Sequence, residues 1–295
     1  MDRILFGDNQ FFGINHISES KARAIAIKFK NDKSIIDTID IAREKNINTL
    51  MCTTHDRIKN ICDIIRNDQT KYQDFTIYPC MPYAHKYANA ITEHGIIGTI
   101  NEYVPGNLLG SFLKGGMAFV SKDYLSIMEL MIDAEMKMFK NINTPVIFLQ
   151  NVITDLLLGL GMKDILKAYH DYIKKKYNTE AGFITMNLPA LIKVLNEIGI
   201  YNPIICSSIN KAGFRMSGGI QQYHKTISNN KMRLIAMQIF GGGAIPAKEA
   251  IEYICSIQNI TSILFGASSK QHISQTVNYI NEYDQIYHNE FDLVF

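Results

Sequence analysis

Eight short apolar segments recur along the chain, and each ends in polar or glycine-rich residues that lead into a helix-patterned segment. The apolar segments cover residues 4–6, 48–51, 75–78, 146–149, 183–186, 203–205, 234–237 and 262–265. Eight strand–helix units are the number that closes a parallel β-barrel with helices on its outside. The sequence therefore predicts a (β/α)8 TIM barrel, in which the carboxyl ends of all eight strands form one rim.

The connection between the third and fourth predicted strands is much longer than the others. A barrel of this kind takes about 250 residues, so the 295 residues here predict one domain, 1–295, with an enlarged connection over 84–144. Loops between strands and helices usually have only a few residues. We therefore expect extra helices in this connection, including a methionine-rich barrel helix over 122–139. Whether its glycine-containing part forms a lid over the rim stays open.

Residues suited to helix capping mark where several helices begin. Ser34 precedes an isoleucine stripe and is the expected N-cap of the first clear helix, and Asp56 is a candidate cap of the next. Pro189 marks the start of a later helix, since proline is favoured in the first helical turn. Ser268 or Ser269 is expected to cap the last helix.

Charge, hydropathy and cysteine content exclude several classes of protein. Thirty basic and 28 acidic residues give a formal charge of +2 without a block of one sign, so we expect no nucleic-acid partner. No apolar run reaches the roughly 18 residues of a spanning helix, and the first residues lack a signal-peptide pattern. We expect a soluble cytoplasmic protein with a small-molecule partner and no membrane partner. Five scattered cysteines predict neither a disulfide framework nor structural zinc. Assembly into a homo-oligomer stays open.

The predicted rim collects side chains that are able to transfer protons. Asp8 follows the first strand, His55 the second, Tyr83 the third and Asn151 the fourth. If the first two strands are adjacent, Asp8 can orient the His55 ring for general acid–base chemistry. A metal cluster made of His16, His55, Asp8 and Cys52 has no recognised ligand spacing, so no metal site is predicted.

Two glycine-containing loops near the end of the chain favour binding of an anion. Gly241 begins a run of three glycines after the seventh strand, and Gly266 follows the eighth strand directly. Ser268, Ser269 and Lys270 then lead into a helix, whose first backbone N–H groups are able to hold a phosphate. The loops after strands 7 and 8 are the usual phosphate site of this fold. The alternative is a flexible turn followed by an ordinary helix cap.

Three segments resemble the aldo-keto reductase superfamily. Residues 262–272 are similar to the final strand, loop and helix of that family, 45–50 to the run into its second strand end, and 185–188 to a motif of its fifth strand. The resemblance implies NADP as cofactor, with the adenosine-phosphate end at the loop of Gly266, Ser268, Ser269 and Lys270. It also implies that Asn187 contacts the nicotinamide amide, and we assign Ser208 and Gly241 to the same cofactor site.

The catalytic tetrad of the aldo-keto reductases is not matched in place. The family uses an Asp, a Tyr, a Lys and a His. The corresponding slots here hold Met51 or Cys52, His55-Asp56, residues 80–82, and Gln150-Asn151. Carbonyl reduction still requires a proton donor at the oxygen, and His55, Tyr83 or Lys86 would have to take that role.

These observations favour an enzyme, and three hypotheses remain. The first is an atypical NAD(P)H-dependent oxidoreductase that acts on a carbonyl or hydroxyl group of a sugar-like or phosphorylated metabolite. The second is a cofactor-free lyase, isomerase or epimerase that uses His55 and Asp8 on a phosphorylated metabolite. The third is a ligand-binding barrel without catalytic activity.

Overall fold

Eight parallel strands close into a barrel in the computed structural model, which describes residues 1–12, 19–83 and 124–291. Neighbours in the barrel are also neighbours in the sequence, and the last strand pairs with the first. The strands are β1 (Ile4–Gly7), β2 (Thr49–Thr53), β3 (Thr76–Met81), β4 (Val146–Leu149), β5 (Glu180–Thr185), β6 (Ile204–Ser208), β7 (Arg233–Met237) and β8 (Ile260–Phe265). The predicted (β/α)8 TIM barrel is confirmed.

Helices surround the barrel. They are α1 (Glu19–Lys28), α2 (Asp32–Arg43), α3 (Asp56–Asn67), α4 (Tyr124–Met136), α5 (Asn151–Gly159), α6 (Lys163–Tyr177), α7 (Leu188–Glu197), α8 (Gly219–Asn229), α9 (Ala247–Cys255) and α10 (Lys270–Phe291). Short 3-10 turns lie at Asn9–Phe12, Lys137–Phe139 and Gly241–Gly243. The helix predicted over 122–139 corresponds to α4 and the turn that follows it. The rest of the long connection, 84–123, lies outside the described residues, as does His16.

The barrel interior is filled with side chains. Alternate strand positions point inward, and they form a cluster made of Leu5, Met51, Tyr78, Cys80, Val146, Phe148, Ile184, Ile204, Cys206 and Ile235. Gly182 makes room for this packing, because a Cβ atom there would lie only 2.4 Å from Cε1 of the Phe148 ring. A ligand therefore has to bind above this packed layer, at one end of the barrel.

A second and larger core lies between the strands and the helices. The inner face of α3 shows why this layer forms, since Ile58, Ile61 and Ile65 recur at helical spacing and are buried. Full burial of a side chain of this size contributes roughly 1.5–3 kcal/mol. All five cysteines are free and buried.

Three helix starts can be compared with the predicted caps. Two have a different cap residue, and one has a residue that was predicted. Asn31, not Ser34, caps α2, and its side chain accepts a hydrogen bond from the Ser34 backbone N–H at 2.9 Å. His55, not Asp56, caps α3. The cap predicted for the last helix is confirmed, because the Ser269 hydroxyl accepts from the His272 N–H at 3.2 Å.

None of the helices in the described part of the chain is long and apolar enough to cross a membrane.

Arg3 joins the segment before β1 to α10 at the amino-terminal end of the barrel. Arg3 donates from Nε to Asp284 Oδ2 at 2.7 Å and from Nη2 to Asp284 Oδ1 at 2.6 Å. It also donates from Nη1 to the carbonyl oxygen of Ile260. The residue before β1 therefore holds both α10 and the start of β8.

Candidate functional site

Asp8 is a buried carboxyl group directly after the carboxyl end of β1. Its side chain is buried, with 5% of the residue's surface exposed. Oδ2 accepts a hydrogen bond from the Thr53 backbone N–H and another from the Thr53 hydroxyl, each at 2.8 Å. Because β1 and β2 are paired neighbours, the end of β2 presents both donors to this carboxylate.

Burial raises the pKa of Asp8 from 3.8 to about 6, while the two hydrogen bonds from Thr53 act in the opposite direction. Removal from water disfavours the charged carboxylate, and donors that bind the charged form favour it. Desolvation is the larger effect here. A carboxyl group with this proton affinity can either donate or accept a proton near neutral pH.

His55 combines a structural contact with exposure at the rim. Its Nδ1 accepts a hydrogen bond from the Arg57 backbone N–H at 3.2 Å, which caps α3. A backbone N–H only donates, so Nδ1 carries no proton and the neutral ring carries its proton on Nε2. The ring is half-buried and stacks on Phe12, with centroids 4.1 Å apart and planes 12° from parallel. The structure thus presents the His55 Nε2–H as a hydrogen-bond donor.

The predicted orientation of His55 by Asp8 is replaced by a different arrangement. Among the described residues, the hydrogen bonds to the Asp8 carboxylate come from Thr53, whereas the His55 ring is held by the start of α3 and by Phe12. The two side chains still belong to adjacent strand ends. They are separate groups at the rim and not a hydrogen-bonded pair.

Tyr83 completes this side of the rim. Its ring centroid lies 6.0 Å from that of His55, and the planes are tilted by 53°. Burial, and then the charges of Asp8 and Asp56, raise the pKa of the Tyr83 hydroxyl. The phenol therefore stays protonated in the physiological range and can donate a hydrogen bond.

Glu135, a buried carboxylate on α4, was not among the residues singled out from the sequence. It is 3% exposed, and its Oε2 accepts from the Thr54 hydroxyl at 2.6 Å. The Tyr83 backbone N–H lies 3.1 Å from Oε1 and 3.3 Å from Oε2. Glu135 lies 52 residues after Tyr83 on a methionine-rich helix, so the only available signal was a carboxylate on that helix's inner face.

Asn151, the fourth predicted catalytic residue, is the first residue of α5 and follows the buried Gln150 at the end of β4. Four residues later, Asp155 reaches the end of β5. Its Oδ2 accepts from the Met186 N–H at 2.9 Å, and its Oδ1 accepts from the Thr185 hydroxyl. Asn151 therefore lies at the carboxyl end of β4, at the rim.

The residues assigned to the nicotinamide end lie at the ends of β5 and β6. Asn187 caps α7, since its Oδ1 accepts from the Ala190 N–H at 3.3 Å. Ser208 is buried and donates from its hydroxyl to Gln238 Oε1 at 2.6 Å. Gln238 has a left-handed φ of 54°, a conformation that is uncommon for a residue with a side chain.

The glycines after β7 and β8 serve different purposes. Gly241 and Gly243 have φ values of 57° and 100°, so the turn after β7 uses the left-handed conformation that glycine adopts most easily. At Gly266, after β8, a Cβ atom would lie 1.9 Å from Oε1 of Gln10. The Gln10 side chain, held by its own bond to the Gly7 carbonyl at 2.7 Å, therefore covers this glycine.

The remaining residues of the predicted phosphate loop have partners within the protein. Ser269 caps α10, and the exposed Lys270 ammonium lies 2.8 Å from Glu44 Oε2. Lys28, on α1, donates to the carbonyl oxygen of Ser268. Two lysines thus flank the first turn of α10, one of them not singled out from the sequence. Among the described residues, no group of three His, Cys, Asp or Glu side chains is placed to hold a metal ion.

Comparisons with solved structures give the same fold across nearly the whole chain. A Pseudomonas aeruginosa protein assigned as an aldo-keto reductase has a TM-score of 0.56 at 10% identity, over 96% of this chain and 90% of that one. The chain described here, with its eight-stranded barrel, has the fold of the aldo-keto reductases. An aldose reductase from Giardia lamblia has a TM-score of 0.51 at 11% identity, over 97% and 92%.

A protein assigned as a 2,5-diketo-D-gluconic acid reductase B gives a TM-score of 0.51 at 7% identity, over 96% of this chain and 86% of that one. No family model and no curated protein matches the sequence. The predicted resemblance to the aldo-keto reductases is therefore confirmed through the fold. At or directly after the ends of β2, β3 and β4 the structure has Thr53, Pro82 and Gln150. None of these is an Asp, Tyr, Lys or His, the residue types of the aldo-keto reductase tetrad.

Proposed function

We propose that this barrel is an oxidoreductase that reduces the carbonyl group of a small metabolite with NAD(P)H. The observation that carries the proposal is the buried Asp8 carboxyl, with a pKa of about 6, at the same rim as the Nε2–H of His55 and the Tyr83 hydroxyl. Carbonyl reduction requires a proton donor at the oxygen. The fold shared with aldo-keto reductases supports the choice of reaction.

The roles of the chain's own residues follow from their protonation. The Nε2–H of His55 and the hydroxyl of Tyr83 are donors that can bind a carbonyl oxygen and stabilise the negative charge that develops there. The protonated Asp8 carboxyl is the strongest acid of the three and supplies the proton. Nicotinamide, when bound, supplies the hydride to the carbonyl carbon, so hydride and proton together give the alcohol.

We propose two places that would hold a dinucleotide. Asn187 and Ser208 offer amide and hydroxyl groups near the barrel mouth, where they would hold the nicotinamide amide. The first turn of α10, between Lys28 and Lys270, would hold a phosphate, because helix N-termini and lysines both favour anions. The Gln10 side chain lies over Gly266 and would rotate away to let a phosphate reach that backbone.

The test is a fluorescence titration of the purified protein with NADPH and with NADH. We expect micromolar binding, and we expect Lys28→Ala to weaken NADPH binding about tenfold at low salt, which corresponds to 1.4 kcal/mol. Lys33→Ala is the matched control, since Lys33 is an exposed lysine that pairs with Asp37 on the neighbouring helix α2. Absence of binding by the wild-type protein would overturn the redox proposal.

One observation favours a second candidate, a cofactor-free lyase, isomerase or epimerase. Asn187, Ser269 and Lys270 all bind groups of the protein itself, and Gln10 covers Gly266. Asp8 and His55 would then move protons on a phosphorylated metabolite. Incubation of such metabolites with the protein in D2O tests this: deuterium incorporation that is lost in Asp8→Asn, together with no NAD(P)H binding, would favour the second candidate.

A further inference from the structure

Glu135 joins the ends of two neighbouring strands from outside the barrel. Thr54 follows β2 and is fully buried, and its hydroxyl donates to Glu135 at 2.6 Å. Tyr83 follows β3 by two residues, and its backbone N–H donates to the same carboxylate at 3.1 and 3.3 Å. One side chain of α4 therefore contacts the loop after β2 and the loop after β3.

Glu135 occupies an unfavourable position for a carboxylate. It is buried, so the charge loses its hydration, and it is the penultimate residue of α4, where the helix dipole disfavours a negative charge. A buried charge is weak evidence of a contribution to stability, because well-packed apolar residues often do as well. A carboxylate has two oxygens, each with more than one acceptor lone pair, so it can accept hydrogen bonds from both loops. An apolar residue cannot do this.

The two loops that Glu135 contacts carry the aromatic rings of the proposed site. His55 directly follows Thr54, and Tyr83 is itself the residue whose N–H is bound. The ring centroids of His55 and Tyr83 lie 6.0 Å apart, and catalytic hydrogen bonds tolerate displacements of only about 0.5 Å. A single carboxylate that holds both backbones limits that distance.

We propose that Glu135 is a positioning residue, which fixes the rings of His55 and Tyr83 relative to each other without contacting the substrate. This inference rests on the function proposed above, in which both rings bind the carbonyl oxygen. In Glu135→Gln one oxygen becomes an NH2 group, which cannot accept a hydrogen bond. The NH2 group either faces the Tyr83 N–H, which then loses its acceptor, or faces the Thr54 hydroxyl, which then has to accept instead of donating. In either orientation the charged acceptor is lost and the contact with that loop is weakened.

The same helix offers a matched control. Asp133 lies two residues before Glu135, and its Oδ1 accepts hydrogen bonds from the hydroxyls of Tyr172 and Tyr177 at 2.6 and 2.5 Å. Those contacts join α4 to α6 on the outside of the barrel. Asp133→Asn therefore makes the same carboxylate-to-amide change on α4 without touching the loops after β2 and β3.

The experiment compares Glu135→Gln, Glu135→Asp and Asp133→Asn by NMR and by kinetics. The ring protons of His55 feel the ring current of the stacked Phe12, so their signals, assigned with His55→Asn, report the place of the ring. We expect both Glu135 variants to shift these signals and Asp133→Asn to leave them in place. With an identified carbonyl substrate, we expect Glu135→Gln to lower kcat about tenfold while KM for NADPH changes less than about twofold.

Two outcomes would overturn the inference. One is that Glu135→Gln and Glu135→Asp leave the His55 signals where they are in the wild type. The other is that Asp133→Asn shifts them equally, which would make the effect a general response of α4. The NMR comparison does not depend on turnover, so failure of the wild type to bind NAD(P)H would remove the redox proposal and leave this test intact. Glu135→Asp keeps the charge and serves if Glu135→Gln does not fold.

Discussion

The carboxylate of Asp8 binds the backbone N–H and the hydroxyl of Thr53 through the same oxygen, Oδ2, at 2.8 Å each. This arrangement joins the end of β1 to the end of β2 through a side chain. It leaves a buried carboxyl whose pKa is raised to about 6 by desolvation. The contact therefore holds the local structure of the rim, and it partly opposes the effect of burial on the pKa of Asp8.

We predict that stability falls as pH rises from 3.8 to about 6 because of Asp8. Its pKa is higher in the folded protein than its usual value of 3.8, so the folded state binds more protons than the unfolded state in this window. Above about pH 6 the ionised group costs roughly 3 kcal/mol. Asp8→Asn should be more stable than the wild type at pH 7.5 by up to that amount, and equally stable near pH 4, in urea denaturation.

A companion variant tests the cause of that pH dependence. The Thr53 hydroxyl lowers the pKa of Asp8, so Thr53→Val should move the upper end of the pH-dependent window above 6. A stability difference between Asp8→Asn and the wild type that is the same at every pH would contradict the assignment to Asp8.

We predict that substitutions of His55 separate its cap from its ring chemistry. His55→Ala removes the acceptor at the start of α3 and should cost about 1 kcal/mol, whereas His55→Asn retains an acceptor and should stay within about 0.5 kcal/mol of the wild type. Both variants should lose about a hundredfold or more in turnover, since both lack the Nε2–H donor. Thermal unfolding and steady-state rates measure the two effects. Wild-type turnover in His55→Asn would exclude the ring from the chemistry.

We predict that Gly182→Ala destabilises the barrel interior. The new Cβ would lie 2.4 Å from Cε1 of Phe148, and overpacking of this kind costs roughly 1–3 kcal/mol. Gly159→Ala is the control, because nothing lies within 4 Å of a Cβ at that helical glycine, and it should gain up to about 1 kcal/mol. If the two variants unfolded at the same denaturant concentration, the Phe148 ring would be shown to adjust to the new methyl group without cost.

We predict that Arg3→Lys weakens the attachment of α10. Lysine cannot make the paired bonds that Arg3 forms with Asp284, and loss of a partly buried bond to a charged group costs roughly 1.5–3 kcal/mol. Hydrogen exchange should speed up in α10 before other helices. Lys167→Ala removes an exposed pair with Asp171 and should change stability by less than about 1 kcal/mol. Uniform exchange in Arg3→Lys would argue against a local role.

The strands could be predicted because their signal is local. Runs such as Val146–Leu149 combine apolar side chains with polar residues at the end, and β4 matches that run residue for residue. Caps were harder, since Asn31 and Ser34 are both good cap residues three positions apart, and only the packed helix decides between them. Histidine is an uncommon cap, so His55 had no distinctive signal for that role.

The site was only partly predictable because its contacts connect distant parts of the chain. That Asp8, His55 and Tyr83 lie on three successive strand ends followed from the barrel itself. The hydrogen bonds that Asp8 accepts from Thr53, and those that Glu135 accepts from Thr54 and Tyr83, depend on side-chain directions at the rim. No spacing in the sequence encodes such directions.

The pairing of β1 with β8 also has a consequence for biosynthesis. β1 leaves the ribosome before β8, its partner on one side, which is made about 260 residues later. Until then both β1 and the most recently added strand present unpaired backbone edges, which are templates for association with other chains. A ribosome-bound or truncated chain that lacks β8 is therefore a partly open sheet, and unpaired edges of this kind favour aggregation.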